Sequence, residues 1–393
     1  MTVYLDYNAG APLRLEARQA IGDFAGIEQA NPASVHRAGQ RARRSLERAR
    51  EQVARLIGAG PRQVVFTSGG TESNNLAIFG IANATIGARR KIISSAIEHS
   101  SILAPLARLR AQGFEIVRIA PDREGRIQAE SVMRALDEST ALVTLGLANS
   151  EVGTIQELAP LAASVSKAGA LFHIDAAQGI GRMPVSVGAL GCDLLTLSGH
   201  KLGAPAGIGA LYVGDRARPV STMMGGPQEG GLRAGTPNLL GAIAFGAVAA
   251  AVEARLDAEI AHMAALSDRL LRLLTESIPG LILNGPLEGR IPNTLNLTFP
   301  DVLGESMLIA LDLEGVEVSM GSACAAGSVE PSHVLLAMGR SGAEARSSLR
   351  LSLGWATTAA EVEQAAEIIA RVWAIVAAAE SPAGEPHAHQ VSR

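Results

Sequence analysis

Cysteine is nearly absent from this sequence of 393 residues, which has only Cys192 and Cys324. Two thiols imply no disulfide framework, so each needs its own account. Aromatic residues are also scarce, at 3% of a chain that is 48% hydrophobic, so Ala, Val, Ile and Leu must fill the interior. No excess of one charge is present, because 34 basic and 38 acidic residues leave a net charge of -4. That balance gives no global field for nucleic acid or an anionic membrane, and small molecules are the expected ligands. The Arg-rich stretch from Arg37 to Arg50 is interleaved with Glu47 and Glu51 at helical spacing, which reads as a solvated helix. The longest apolar run, Leu239 to Val252, has 14 residues and falls short of the roughly 20 that a membrane span needs, so a buried helix is expected. The first residues lack a basic-then-apolar signal pattern, so cytoplasmic residence is expected.

Short β-branched runs are plentiful. VVFTS (64–68), KIISS (91–95), EIVRIA (115–120), ALVTLGL (141–147), ALFHID (170–175), DLLTLS (193–198) and IGALYVG (208–214) alternate with Ala/Leu-rich segments of helical period. The alternation predicts an α/β domain whose mostly parallel mixed sheet is covered by helices on both faces, over about residues 16–254. From about residue 255 to 379 long amphipathic helices join a few strands, such as TLNLTF and RLSLGW, which predicts a smaller α+β domain. The remainder, 380–393, carries Pro, Gly and two histidines without periodicity, and is expected to be a disordered tail.

In an open α/β sheet ligands collect beyond the carboxyl ends of the strands. After VVFTS comes Gly69-Gly70-Thr71-Glu72, whose bare N–H groups, hydroxyl and helix end suit a phosphate, or simply start a capped helix. After KIISS comes His99, and after ALFHI comes Asp175, which could equally cap the next helix. After DLLTL comes Ser198-Gly199-His200-Lys201. Taken singly these residues are ordinary; together they are the parts that hold pyridoxal phosphate. The lysine forms a Schiff base, and the carboxylate keeps the pyridine nitrogen protonated.

The stretches YLDYNAGAP, NPASVH, FTSGGTES, EHSS, ANSEVGT, HIDAAQ, SGHKLGAPAGIGALYV, GGPQEGGLRAGTPN, PNTLN, GSACAAGSVEPSHV and LRLSLGW resemble the cysteine desulfurases of the class V aminotransferase family. They follow the family's order from residue 3 to about 355. The resemblance implies an aspartate aminotransferase-like large domain, with residues 1–15 packing on the small domain. It implies that Lys201 carries the cofactor, Asp175 pairs with its ring nitrogen, and His99 stacks on the ring. Gly70, Thr71, Ser198 and His200 would bind the phosphate, and Gln178 the ring oxygen. Thr236 would reach the cofactor phosphate of a neighbouring subunit in a homodimer. Arg350 would take the substrate carboxylate, with Asn31 assisting. Cys324 would accept sulfur from L-cysteine as a persulfide, leaving alanine, and pass it to a protein acceptor such as an iron–sulfur scaffold. His99 is the expected base for that thiol, because no Lys or Arg adjoins Cys324. Cys192, beside a strand, reads as a small buried hydrophobe.

Three departures from the family pattern stand out. Ser150 replaces the second of two asparagines before Glu151, Ala9-Gly10-Ala11 replaces threonines, and Ala325-Ala326 replaces hydroxyl residues. Ser150 thus occupies the place of an amide beside the cofactor's phenolic oxygen. Alternative readings keep the fold and change the reaction, to a selenocysteine lyase or another class V transaminase. A non-catalytic scaffold for an assembly partner is a further alternative.

Overall fold

The computed structural model of this chain describes residues 2–25, 30–85, 87, 89–321 and 330–380. After β1 (Val3–Tyr4), the β-branched runs form β2 (Val64–Thr67), β3 (Lys91–Ser95), β4 (Glu115–Ile119), β5 (Thr140–Gly146), β6 (Leu171–Asp175), β7 (Leu194–Ser198) and β8 (Gly209–Val213). These seven make one sheet in the order β2-β8-β7-β6-β5-β3-β4, and only β8 runs antiparallel to its neighbours.

Successive residues along a strand point to opposite faces, and both faces are apolar, as a covered parallel sheet requires. Phe66, Ile93, Val143 and Leu195 face one core. Their chain neighbours Val65, Ile92, Leu142 and Leu194 face another. Helices α3 (Gly70–Ala84) and α4 (Ser100–Ala111) close the second core through Leu76, Ile78, Ile81, Leu106 and Leu109. The first core is closed by α2 (Arg37–Leu56) and a later 39-residue helix, with α6 (Leu161–Lys167) beside them. Two further helices, α1 (Leu15–Ala25) and α5 (Ala129–Ala135), and the single turn α7 (Val187–Leu190) complete this layer.

The long helix, α8 (Leu239–Ser277), runs through the expected division near residue 255. Its first half, through Val252, belongs to the core of the large sheet. Its second half, from Leu266 to Leu274, belongs to a separate core. One continuous helix therefore joins the two units, and no linker separates them. By length and composition α8 could cross a membrane. In this fold Ala242, Phe245, Val248 and Val252 are 0% exposed and pack inside, which contributes about 1.5–3 kcal/mol for each of the larger side chains. The approach to α2 is close, because a Cβ on Gly246 would lie 2.7 Å from Ala49 Cα.

The Arg-rich helix is solvated along Arg41, Arg43, Arg44 and Arg48. Arg50 is the exception: it is buried and forks onto Glu229 at 2.6 and 2.8 Å.

The separate core gathers β9 (Ile282–Asn284), β10 (Thr294–Thr298), α9 (Gly304–Leu313), β11 (Val316–Glu317), β12 (Ser348–Ser352) and α12 (Ala359–Glu380), while two short helices, α10 (His333–Ala337) and α11 (Gly342–Arg346), pack in a small cluster with Ile97 and Val152. Strands β9, β10 and β12 form an antiparallel sheet, and β1 pairs with β11. Val3 and Leu5 are thereby buried with this unit. Glu380 ends α12, so the expected tail loses its first residue to a helix; the rest, 381–393, lies outside the described residues.

Candidate active site

The carboxyl ends of β2, β3, β5, β6 and β7 open on one cavity of about 250 Å³. At the end of β2 the chain turns through Gly69 at φ +154°, and a Cβ on Gly209 opposite would lie 2.6 Å from Gly69 Cα. Only glycine fits such an approach. The turn delivers Gly70 and Thr71, the first residues of α3, to the cavity wall with the positive end of the helix. Glu72 accepts from Ser68 N–H at 2.7 Å, so the capped helix start and the cradle coexist.

At the end of β6, Asp175 Oδ1 accepts from Ala177 N–H at 2.9 Å and Oδ2 from the Asn74 amide at 2.7 Å. It caps its own turn and still lines the cavity. Beyond β7, Lys201 Nζ donates to the carbonyls of Asn8 at 2.6 Å and Ala9 at 2.7 Å. Ser198 Oγ and His200 Nδ1 are 3.0 Å apart. Burial, then the Lys201 charge, pushes His200 down to about 4, so it is neutral at pH 7.

The Gln178 amide donates to Asn8 O at 3.1 Å, and its oxygen accepts from buried Arg182 at 2.6 Å. Burial, with repulsion from Arg350, pushes the Arg182 guanidinium down to about 9. Arg350 on β12 reaches the cavity from the other unit and is 2% exposed. Its Nη2 meets Asp6 Oδ1 at 2.7 Å and its Nη1 meets Ser150 O at 3.2 Å. Its Nε is buried without a hydrogen-bond partner among the described residues.

At the end of β5 both Asn149 and Ser150 line the cavity. The Asn149 side chain is committed to its turn, donating to Ile97 O and accepting from Glu151 and Val152 N–H. His99 begins α4, and its Nδ1 accepts from Ser101. Burial holds its imidazole below the usual value, against the pull of Asp175.

The cavity thus joins Gly70, Thr71, His99 and Ser150 with Asp175, Gln178, Ser198, His200, Lys201 and Arg350. Asn31 and Thr236 do not join them. Asn31 is exposed in the turn before α2, where its Oδ1 accepts from Ala33 N–H at 2.9 Å. Thr236 is exposed beyond β8. Cys324 lies outside the described residues. Cys192 is buried in the first core, and burial pushes its thiol up to about 12, which suits a structural cysteine. Among the described residues no His, Cys, Asp and Glu cluster could hold a metal.

Several residues of the site carried no single signal in the sequence. Asn74 follows Thr71 by about one helical turn and so lines the cavity with it. Glu98 precedes His99 and is buried, accepting from Ser95 Oγ at 2.6 Å and Gly146 N–H at 2.9 Å. Burial pushes its carboxyl up to about 7. Asp6 and Asn8 lie in the YLDYNAGAP stretch, but nothing local ties them to positions 350 and 201.

The donor set fits pyridoxal phosphate. A carboxylate, a helix N-terminus with hydroxyls and a lysine amine between carbonyls all line the one cavity. The buried, unpartnered Arg350 Nε suits a substrate carboxylate.

The class V aminotransferase family model matches residues 3–365. The cysteine desulfurase IscS of Dictyoglomus turgidum is 41% identical over 370 residues, covering 94% of each chain. Among solved structures, a NifS-like protein superposes with a TM-score of 0.90 at 32% identity, covering 95% of this chain and 100% of the other. SspA, solved in complex with cysteine, superposes with a TM-score of 0.80 at 32% identity, covering 91% and 100%.

Proposed function

We propose residue roles for a chain that belongs to the class V aminotransferase family and, within it, to the cysteine desulfurases. It is a pyridoxal-phosphate-dependent enzyme that takes sulfur from L-cysteine and leaves L-alanine. The observation that carries the assignment of roles is the meeting of Lys201, Asp175 and the Gly70–Thr71 helix end around one cavity.

Pyridoxal phosphate, when bound, supplies an electron sink for bonds to the substrate's α-carbon. Asp175 would hold the proton of the ring nitrogen, its two oxygens oriented by Ala177 N–H and the Asn74 amide. Gly70, Thr71, Ser198 and neutral His200 would hold the phosphate by hydrogen bonds. Lys201 would carry the cofactor and, once released, move the proton of the substrate α-carbon. The Asn8 and Ala9 carbonyls aim its Nζ. Gln178, its oxygen held by Arg182, keeps one amide hydrogen for the ring oxygen. Arg350 would orient the substrate carboxylate, sharing its charge with Asp6.

Sulfur transfer to Cys324 balances simply. The Cys324 thiolate attacks the substrate sulfur, an S–S bond forms, and the Cβ–S bond breaks with its electron pair left on carbon. Two protons then complete alanine, and Cys324 holds the persulfide. A homodimer is part of this reading, with Thr236 serving the partner's site, which agrees with its place outside this chain's own cavity. A protein acceptor such as an iron–sulfur scaffold would take the sulfur. A cytoplasmic setting suits a reaction that needs a reduced thiol.

The test incubates the purified, cofactor-loaded protein with L-cysteine and quantifies alanine and sulfide, with selenocysteine in parallel. Equimolar alanine and reducible sulfur are expected from cysteine. Pyruvate and ammonia in place of alanine would overturn the assignment, and turnover of selenocysteine alone would move it to a lyase.

A further inference from the structure

We propose that Ser101 is a positioning residue that holds His99 as the neutral tautomer protonated on Nε2, so that His99 serves the reaction as a hydrogen-bond donor. It then does not act as the base that ionises a thiol. The part in the reaction rests on the function proposed above; the tautomer rests on hydrogen bonds alone.

One donor to His99 cannot be reversed. The backbone N–H of Ser101 lies 3.1 Å from Nδ1 and can only donate. A ring nitrogen that accepts from it carries a lone pair, so the proton of the neutral ring sits on Nε2. The Ser101 hydroxyl lies 2.7 Å from the same Nδ1, and its direction is fixed from the far side. Asn74 Nδ2 is 2.8 Å from Ser101 Oγ and 2.7 Å from Asp175 Oδ2. The amide cannot be turned over, because its oxygen would then face a carboxylate. Ser101 Oγ therefore accepts from Asn74, and its one hydrogen goes to His99 Nδ1. The chain of donors starts from Asn74, which serves the Asp175 carboxylate on one side and, through Ser101, the imidazole on the other. Asn74 is 1% exposed and Ser101 6%, so water does not compete for these bonds.

Protonating His99 would mean placing a hydrogen on Nδ1 against two donors already aimed there. Asp175 favours the imidazolium; burial, Lys201 and His333 oppose it, and the opposition prevails. Nε2, already protonated, has no lone pair with which to take a proton from a thiol. This replaces the expectation that His99 supplies the base for Cys324.

The test uses full-length, cofactor-loaded protein labelled with nitrogen-15 histidine, the His99 signal being identified by its loss in His99→Gln. Nδ1 is expected to be pyridine-like and Nε2 pyrrole-like from pH 6 to 8. Ser101→Ala removes one donor to the neutral form, so the titration midpoint of His99 should rise by roughly half to one pH unit. Ser101→Thr should restore it. A pyrrole-like Nδ1 in the parent protein, or an unmoved midpoint in Ser101→Ala, would overturn the proposal. Alanine is measured on the same samples: its absence beside an Nε2–H ring would overturn the reaction while the tautomer stands.

Discussion

Glu98 offers a quantitative check on the electrostatics of the cavity. Its carboxyl is buried at 6% exposure and, among the described residues, touches no cation, only the Ser95 hydroxyl and the Gly146 N–H, with Asp175 as a like charge nearby. Burial pushes it from 4.5 to about 7. An acid whose folded value lies above its unfolded one binds more protons when folded, so stability is lost as pH rises between these values. The window runs from about 4.5 to about 7. Above it, the buried charge costs on the order of 3 kcal/mol, at about 1.4 kcal/mol for each tenfold change in proton affinity. Glu98→Gln keeps the shape and can satisfy both partners, since Ser95 Oγ can accept from the new amide. At pH 8 the variant should therefore be more stable than the parent, and at pH 5 the two should differ little. Unfolding entropy of about 2.1 cal/mol/K per residue gives a domain of this size a slope near 0.8 kcal/mol/K. A Tm gain of roughly 4 °C at pH 8, fading at pH 5, is then expected in thermal unfolding of the cofactor-free protein. An equal difference at both pH values would refute the reasoning, because only a titrating group produces the fade.

Other outcomes follow from single residues. Borohydride reduction of the loaded protein should tag Lys201, and Lys201→Ala should lose the tag; the chain has only two other lysines, and Lys91 is held by Asp137 at 2.8 Å. Peptide mapping checks this. Cys324→Ser should keep the cofactor, seen as retained yellow colour, yet release no sulfide from cysteine. Arg350→Ala should raise KM for cysteine by roughly 10- to 100-fold, the loss of a charge-assisted hydrogen bond, with a smaller change in kcat from steady-state assays. Arg14 forks onto Glu259 at 2.7 and 2.6 Å and lies 3.6 Å over the Trp355 ring. Arg14→Ala should cost about 3 kcal/mol, because it leaves the buried Glu259 carboxylate with only the half-exposed Arg255 at 3.6 Å, and Arg14→Ala with Glu259→Gln should recover part of it in urea unfolding.

The sequence by itself determined whatever repeats locally. Seven β-branched runs became the seven strands of one sheet because alternation of burial is written into adjacent residues, such as Val65 with Phe66 and Ile92 with Ile93. The chemistry at the strand ends was legible for the same reason: Gly70, Asp175 and Lys201 each follow a strand within a few residues, and strand polarity brings those ends together. Tertiary structure alone decided how the parts face one another. Lys201 meets the carbonyls of Asn8 and Ala9, almost two hundred residues away in the chain, and Arg350 meets Asp6 across nearly the whole length of it. No local pattern encodes these pairs, since they arise from β1 pairing with β11 and from β12 reaching the cavity from the second unit. The same holds for α8, whose continuous helical pattern hides that its two halves enter different cores. Hydrogen-bond direction is the last thing folding decides. Whether His99 gives or takes a proton depends on Asn74 and Ser101, and their orientation is fixed only once Asp175 stands beside them.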